Sequence, residues 1–236
     1  MRRHRIRRED TARPSLRTLD GKEPKPAGTI GDYTFLIAQQ GWRHVGWTDS
    51  GVKRRRSLFH LAREGACLSA IRFAEYRFFG LDGFDLFDPL DADSHMEMRL
   101  ADALQENWEE PGFEVACWGA VAFLEDIWCD RRASRESPWV AGLEVLFQTL
   151  LKDCAGVITL AFPVEYEGRA PEDMPSHLGF LRRQDAMARI AERRFGAFRL
   201  EGTAGEEGWF WLPLAGEGAI PLPTTRRRRP HLTVVR

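Results

Sequence analysis

The sequence predicts an α+β fold, a mixed sheet with helices on both faces. Three observations carry that expectation. First, residues 120–162 run as a strand-like AVAFLEDIWC, a polar loop DRRASRES, an amphipathic stretch PWVAGLEVLFQTLL and a fully apolar GVITLAF. That is a β-α-β order whose last member has the unbroken hydrophobicity of a strand buried on both faces. Second, several β-rich runs, among them YTFLIA and CLSAIRFAEYRFF, precede it. Third, a second helical pattern, LGFLRRQDAMARIAERRF, follows and gives way to the strand-like FRLEG and GWFWLPL. Strands first and alternating elements later argue for one layered α/β domain.

The elements follow in order. Residues 1–28 mix Arg, Lys, Pro, Ser and Thr with little apolar periodicity and read as a mobile basic arm. The folded domain is expected over 29–216, with ordered structure beginning near Tyr33, and 217–236 reads as a basic tail. Removing either terminal segment is therefore expected to leave the fold intact. GWRHVGWTDSG looks like a strand or hairpin broken by Gly, and Lys53 to Arg56 read as a basic turn before SLFHLA. CLSAIRFAEYRFF leans towards strand. Asp93 or Ser94 can cap a helix through MEMRLADALQENW, whose Met96, Leu100 and Leu104 share a face at i, i+4, i+8. FEVACWGAVAFLEDIWC reads as two strands around Gly119 or one strand bent there. Ser137-Pro138 starts the next helix, with Leu143, Leu146, Phe147, Leu150 and Leu151 at helical spacing. In the last long helix Phe180, Met187, Ile190 and Ala191 are expected to face inward.

Composition narrows the function classes. With 236 residues, 43% of them hydrophobic, the chain can bury one substantial core. A net charge of -1 creates no global field that would select nucleic acid or membrane. The charge is uneven, since MRRHRIRRED opens the chain and TTRRRRPHLTVVR closes it. Cys67, Cys117, Cys129 and Cys154 have no C-x-x-C spacing and no His partner in a zinc pattern, so they read as reduced thiols of a cytoplasmic protein. No apolar run follows the N-terminal arginines as in a secretory signal, and none approaches the ~20 residues that span a bilayer. His44, His60, His95 and His177 form no i, i+4 ligand pair. The aspartates from Asp82 to Asp93 lack the spacing of a calcium loop and fit turn and cap chemistry, so no metal site is expected.

The chain resembles the GNAT acetyltransferase superfamily, and more narrowly its bacterial members that carry a D-x-x-S segment ahead of the core. The matching residues are Asp91-Ala92-Asp93-Ser94, Leu124 to Cys129, Gly142-Leu143, Leu160-Ala161-Phe162-Pro163 and the helix ending Arg193-Arg194-Phe195-Gly196-Ala197-Phe198. The likeness covers roughly residues 90–214 and rests on order and spacing. It implies a mostly antiparallel central sheet and transfer of an acetyl group from acetyl-CoA to an amine. It places the coenzyme A pyrophosphate at the loop and helix start, where backbone N–H groups and the helix dipole bind anions. The family pattern R/Q-x-x-G-x-G/A falls on Ser137 to Gly142, with Trp139, Val140, Ala141 and Gly142 as binding positions. Only the last Gly is kept. Val140 adds a branched side chain where phosphate would approach, and Pro138 removes an N–H. Counting forward from the strand shifts the register and gives the loop about three extra residues. Arg131, Arg132 and Arg135 are candidate phosphate ligands there, or solvated loop charges.

The resemblance also implies that backbone N–H groups of Ile127, Trp128 and Cys129 polarise the thioester carbonyl. A base must take the amine proton. Glu125 and Asp126 are the acids on this strand; strand alternation points them to opposite faces, and Glu125 is preferred. The family's thiolate acid, often a Tyr of the last helix, has no counterpart, since Ile190 or Arg189 stands there and the chain's tyrosines are Tyr33, Tyr76 and Tyr166. Two other readings stand beside the enzyme. One is a GNAT-fold protein without catalysis, serving as a binding or structural subunit. The other is contact with nucleic acid through the Arg-rich termini and the Lys53–Arg56 cluster.

Overall fold

The computed structural model describes residues 17–48, 50–79, 89–90, 94–107, 120–130, 138–161, 177–214 and 233–234. Strands β1 (Lys25–Ile30), β2 (Tyr33–Gln39), β3 (Arg43–His44), β4 (Val52–Arg63) and β5 (Ala66–Phe78) precede helix α1 (His95–Glu106). β6 (Ala120–Cys129), α2 (Pro138–Thr149) and β7 (Cys154–Leu160) form the β-α-β unit. α3 (His177–Phe195), β8 (Phe198–Arg199), the short α4 (Gly202–Glu207), β9 (Trp209–Pro213) and β10 (Thr233–Val234) complete the fold. All strands join one open sheet in the order β10-β1-β2-β4-β5-β6-β7-β9-β8, with β3 paired to β4. Among the described pairs only β6 and β7 run parallel.

The long β4–β5 hairpin is the backbone of this sheet. Its two-residue loop places Glu64 at φ 53° and Gly65 at φ 80°, so both loop residues are left-handed as a tightly twisted hairpin needs. That turn sets the pairing from Arg63 opposite Ala66 to Val52 opposite Phe78. Lys53 to Arg56 therefore lie inside a strand rather than in a turn: they sit within the continuous β4–β5 ladder, where alternation sends Arg54 and Arg56 to one face and Lys53 and Arg55 to the other.

The helices sort by face. Phe59, Phe73, Leu124, Val157 and Phe210 pack with Leu143, Leu146 and Phe147 of α2 and Ala188 and Phe195 of α3. On the opposite face Tyr76, Val121, Phe123, Ile158, Trp209 and Trp211 pack with Leu100 and Leu104 of α1 and Ala204 of α4. Neighbours Val157 and Ile158 thus belong to different cores, which is why this strand has no polar alternation. The expected mixed, mostly antiparallel sheet with helices on both faces is the observed arrangement.

Several expectations change. The segment read as a mobile arm is ordered from Arg17: Leu19 is buried against Ala38, Leu58 and Ala70, and Lys25–Ile30 is a strand. Thr233 and Val234, inside the segment read as a tail, pair with Thr29 and Gly28. Residues 1–16 and 215–232 lie outside the described residues, as do Gly119 and the start of its strand. In α1, Leu100 and Leu104 are buried, but Met96 is 39% exposed because Glu97 takes the inward position. In α3, Met187 and Ile190 are exposed, and Gln184, Ala188 and Phe195 face the core. FRLEG and GWFWLPL do form an antiparallel pair, with α4 between them. No helix among the described residues is long and apolar enough to cross a membrane.

The sheet leaves no room at Gly156. A Cβ there would run into the Trp211 indole and lie 2.8 Å from the Leu212 carbonyl oxygen. Gly156→Ala should destabilise the fold by about 1–3 kcal/mol, as overpacking a rigid core does. A urea titration at constant slope checks it; an unchanged midpoint would show that the indole moves aside freely.

Candidate functional site

The site grows out of the way β6 leaves its neighbours. Its parallel pairing with β7 ends at Leu124 opposite Thr159, and Glu125 to Cys129 continue against β5 alone. Burial changes at the same point, from full up to Leu124 to half from Glu125 onward. The β5 register also shifts there: Arg72 opposes Asp126 and Phe73 opposes Leu124, so Glu125 is the extra residue of a β-bulge. A bulge breaks strict alternation. Asp126 lies opposite Arg72, on the same face of the sheet. Glu125 reaches Arg56, which belongs to that same face because its strand places it opposite Ala74, two residues from Arg72. The expectation that the two acids point to opposite faces fails for this reason.

A charge network fills this face between α1 and the bulge. Its centre is Glu97, 2% exposed. A buried carboxylate is costly unless its oxygens are occupied by donors or cations. Here Tyr76 Oη donates to Oε1 at 2.7 Å and Ser94 Oγ donates to Oε2 at 2.9 Å. Arg54 binds Oε1 through Nη1, and Arg56 Nη2 stands 3.6 Å from Oε2. Ser94 caps α1, its Oγ accepting the Glu97 N–H at 3.2 Å, so the carboxylate also sits at the favourable end of the helix dipole. Arg56 donates from Nε to Glu125 Oε1 at 3.0 Å. Arg72 lies close to Glu125 as well, and its buried Nε has no hydrogen-bond partner among the described residues.

These surroundings set the proton affinities. Burial first, then the Glu97 charge and hydrogen bond, push the Tyr76 phenol well above its ordinary value, so it stays a donor. Burial raises Glu125 above the usual carboxylate range; the Arg56 guanidinium and its hydrogen bond pull it down, Arg72 pulls it down further, and Glu97 pushes it up. The net direction is up. Burial pushes the Cys67 thiol up to about 11 and the Cys154 thiol to about 12, as expected of cysteines that pack as small hydrophobes.

The residues expected at the coenzyme loop are placed as follows. Arg132 and Arg135 lie outside the described residues, as does the side chain of Trp139. Val140 is buried in the core under α2, so its branched side chain points away from the outer side of the helix start. Ala141 is partly buried against the same core. Gly142 lies against β5, where a Cβ would come 2.7 Å from Ser69 Oγ. Pro138 occupies the first helical position, as expected. Ile127 packs towards α2 and Trp128 towards Leu58 and Ala70, so the end of β6 presents its backbone between two different clusters. No group of His, Cys, Asp or Glu that could hold a metal ion occurs among the described residues.

Glu97 was not singled out by sequence reasoning, Tyr76 was given no role, and Arg54 and Arg56 were read only within a basic turn that could contact phosphates. The signal for Glu97 was the spacing Ser94-x-x-Glu97, a capping box. The Lys53–Arg56 cluster is committed within the protein. Arg55 binds Glu75 through two bonds of 2.9 and 2.6 Å and shares the Trp42 ring with Arg77, and Lys53 lies over the Phe79 ring. A concavity of about 420 Å³ lies between α1 and α4, at the far end of α1 from Glu97. Its charges hold the fold together. Arg99 binds Glu207 at 2.8 Å, and Glu106 accepts the N–H groups of Thr203 and Ala204. No family model, no curated protein and no solved structure matches this chain.

The raised affinity of Glu125 has a thermodynamic consequence. A carboxyl whose folded value exceeds its unfolded one contributes stability that is complete below the unfolded value and is lost as pH rises through the folded one. Ionising Glu125 in the folded protein is therefore a net cost. Glu125→Gln should melt higher than the wild type at pH 7, with the difference shrinking as pH falls towards about 4.5, the ordinary value, and gone below it. Melting curves at both pH values check this, and a lower midpoint at pH 7 would mean that the Arg56 pair outweighs burial.

Proposed function

We propose that this chain is a GNAT-like acyltransferase that moves an acetyl group from acetyl-CoA to an amine. The observation that carries the reading is the departure of β6 from β7 after Leu124, at the bulge that brings Glu125 into the charge network. A strand that loses one neighbour has unpaired backbone groups to offer, and the resemblance assigns the acyl group to such a gap. Supporting it, the first turns of α2 lie close to this strand end, since Gly142 packs against Ser69, the β5 partner of Cys129, and a helix's first turn carries N–H groups without intrahelical partners. Neither Val140 nor Gly142 obstructs that turn from outside, since one faces the core and the other lies against Ser69.

Acetyl-CoA would supply an activated acetyl thioester. In this reading backbone N–H groups of Ile127 to Cys129 stabilise charge on the carbonyl oxygen. Glu125 takes the proton that the amine sheds as its nitrogen bonds the acetyl carbon and the carbon–sulfur bond breaks, with the electron pair going to sulfur. Trp139, Val140 and Ala141 offer backbone N–H groups to the pyrophosphate, with Arg132 and Arg135 as further candidate ligands. The alternative, a GNAT-fold subunit without catalysis, draws on Pro138 at the first helical position and on Ile190 and Arg189 where a Tyr would serve. Nucleic-acid contact would rest on the terminal arginines alone, because those of β4 are already paired.

Calorimetric titration with acetyl-CoA and with desulfo-CoA tests the proposal. Micromolar binding is expected, followed by turnover on a panel of amines. Glu125→Gln should then lower kcat by about 10²–10⁴-fold while binding of the thioester stays unchanged. No heat and no thermal shift at millimolar ligand would sink the enzyme and leave the binding subunit.

A further inference from the structure

Arg56 touches both carboxylates of the network, and the sheet is built to let it. Glu125 is on β6 and Arg56 on β4, with β5 between them. The residue Arg56 opposes on β5 is Ala74, whose other neighbour is Phe123 of β6. A methyl group at 74 leaves the guanidinium a path across the intervening strand. The far end of Arg56 is tied to Glu97, and Glu97 is held by Ser94, Tyr76 and Arg54. Among the described residues Glu125 makes a single hydrogen bond, from Arg56 Nε to Oε1, so Oε2 is left to receive a proton.

We propose that Arg56 is the positioning residue of this site: it clamps Glu125 Oε1, transmits the fixed position of Glu97 at the start of α1, and so presents Oε2 to the acceptor amine. The inference rests on the acyltransferase reading and extends it. The charged and titratable groups around Glu125 are Arg56 of β4, Arg72 and Tyr76 of β5, Asp126 of β6 and Glu97 of α1, with Arg54 of β4 bound to Glu97 behind them. Of these, Arg56 is the one hydrogen-bonded to Glu125. Removing its guanidinium frees the carboxylate to rotate and takes away an opposing charge, so the carboxyl should hold its proton to higher pH.

The test follows Glu125 directly by carbon-detected NMR titration of the labelled full-length protein, alongside pH–rate profiles with acetyl-CoA and an amine. Arg56→Gln should move the Glu125 titration and the acid limb of kcat/KM upward together. It should also lower kcat above that limb by up to about 100-fold, with KM for acetyl-CoA unchanged. Arg56→Lys keeps a charge without the planar fork; it should bring the titration back towards wild type while kcat stays low, and it serves if the Gln variant fails to fold. A Glu125 titration that is the same in wild type and folded variants overturns the proposal, as does wild-type kcat in Arg56→Gln. Failure of the wild type itself to bind or turn over acetyl-CoA removes the acyltransferase reading and the catalytic role of Arg56 with it, before any variant is compared.

Discussion

Burial of the Glu97 carboxylate is the constraint on which this face of the protein depends. A charge that is 2% exposed demands donors on every side, and its donors come from three separate elements. Ser94 starts the helix, Tyr76 lies on one strand of the central hairpin, and Arg54 and Arg56 lie on the other. Satisfying the carboxylate therefore fixes the depth and rotation of α1 over the sheet. Met96 is left outside because only one of two adjacent residues can point inward, and the polar one does so here. Helix, hairpin and bulge are joined through one group rather than through apolar contact alone.

The same arrangement explains why the face is not uniform. Towards Trp209 and Trp211 it is a dry core beneath α1 and α4. Towards Leu19 it is a smaller apolar cluster with Leu58, Ala70 and Trp128. The guanidinium and carboxylate groups lie between, where β6 has parted from β7. Charges in such a position are largely shielded from water, with Glu125 keeping 17% of its side-chain surface exposed and Arg56 32%. That combination makes proton affinity sensitive to geometry.

Element identity was legible in the sequence wherever periodicity was strong. The apolar run through Val157 and Ile158 reads as a strand buried on both faces because its two faces feed two cores. Ser137-Pro138 marks the start of α2 because Pro suits the first helical position. The misreadings have one cause each. Lys53 to Arg56 look like a solvated turn because a run of cations conceals alternation, and the acids that neutralise them, Glu75, Glu97 and Glu125, are 20 to 69 positions away. Residues 17–28 look like an arm because Leu19 is a lone apolar residue whose partners, Ala38, Leu58 and Ala70, lie on later strands. The bulge at Glu125 was invisible, since it exists only in the register between two strands, and with it went the shared face of Glu125 and Asp126.

An open sheet has two borders, and unpaired strand borders are where chains stick to one another. One border here is β8, two residues long and carrying Arg199. The other is β10, equally short, laid along β1. β1 itself contains Pro26, which offers no N–H, and an irregular register between Pro26 and Gly28. Among the described residues neither border presents a long, regular row of donors and acceptors to a second chain. A large sheet can thus stay unclosed, even with the internal gap between β6 and β7, without its described borders becoming a template for fibrous assembly.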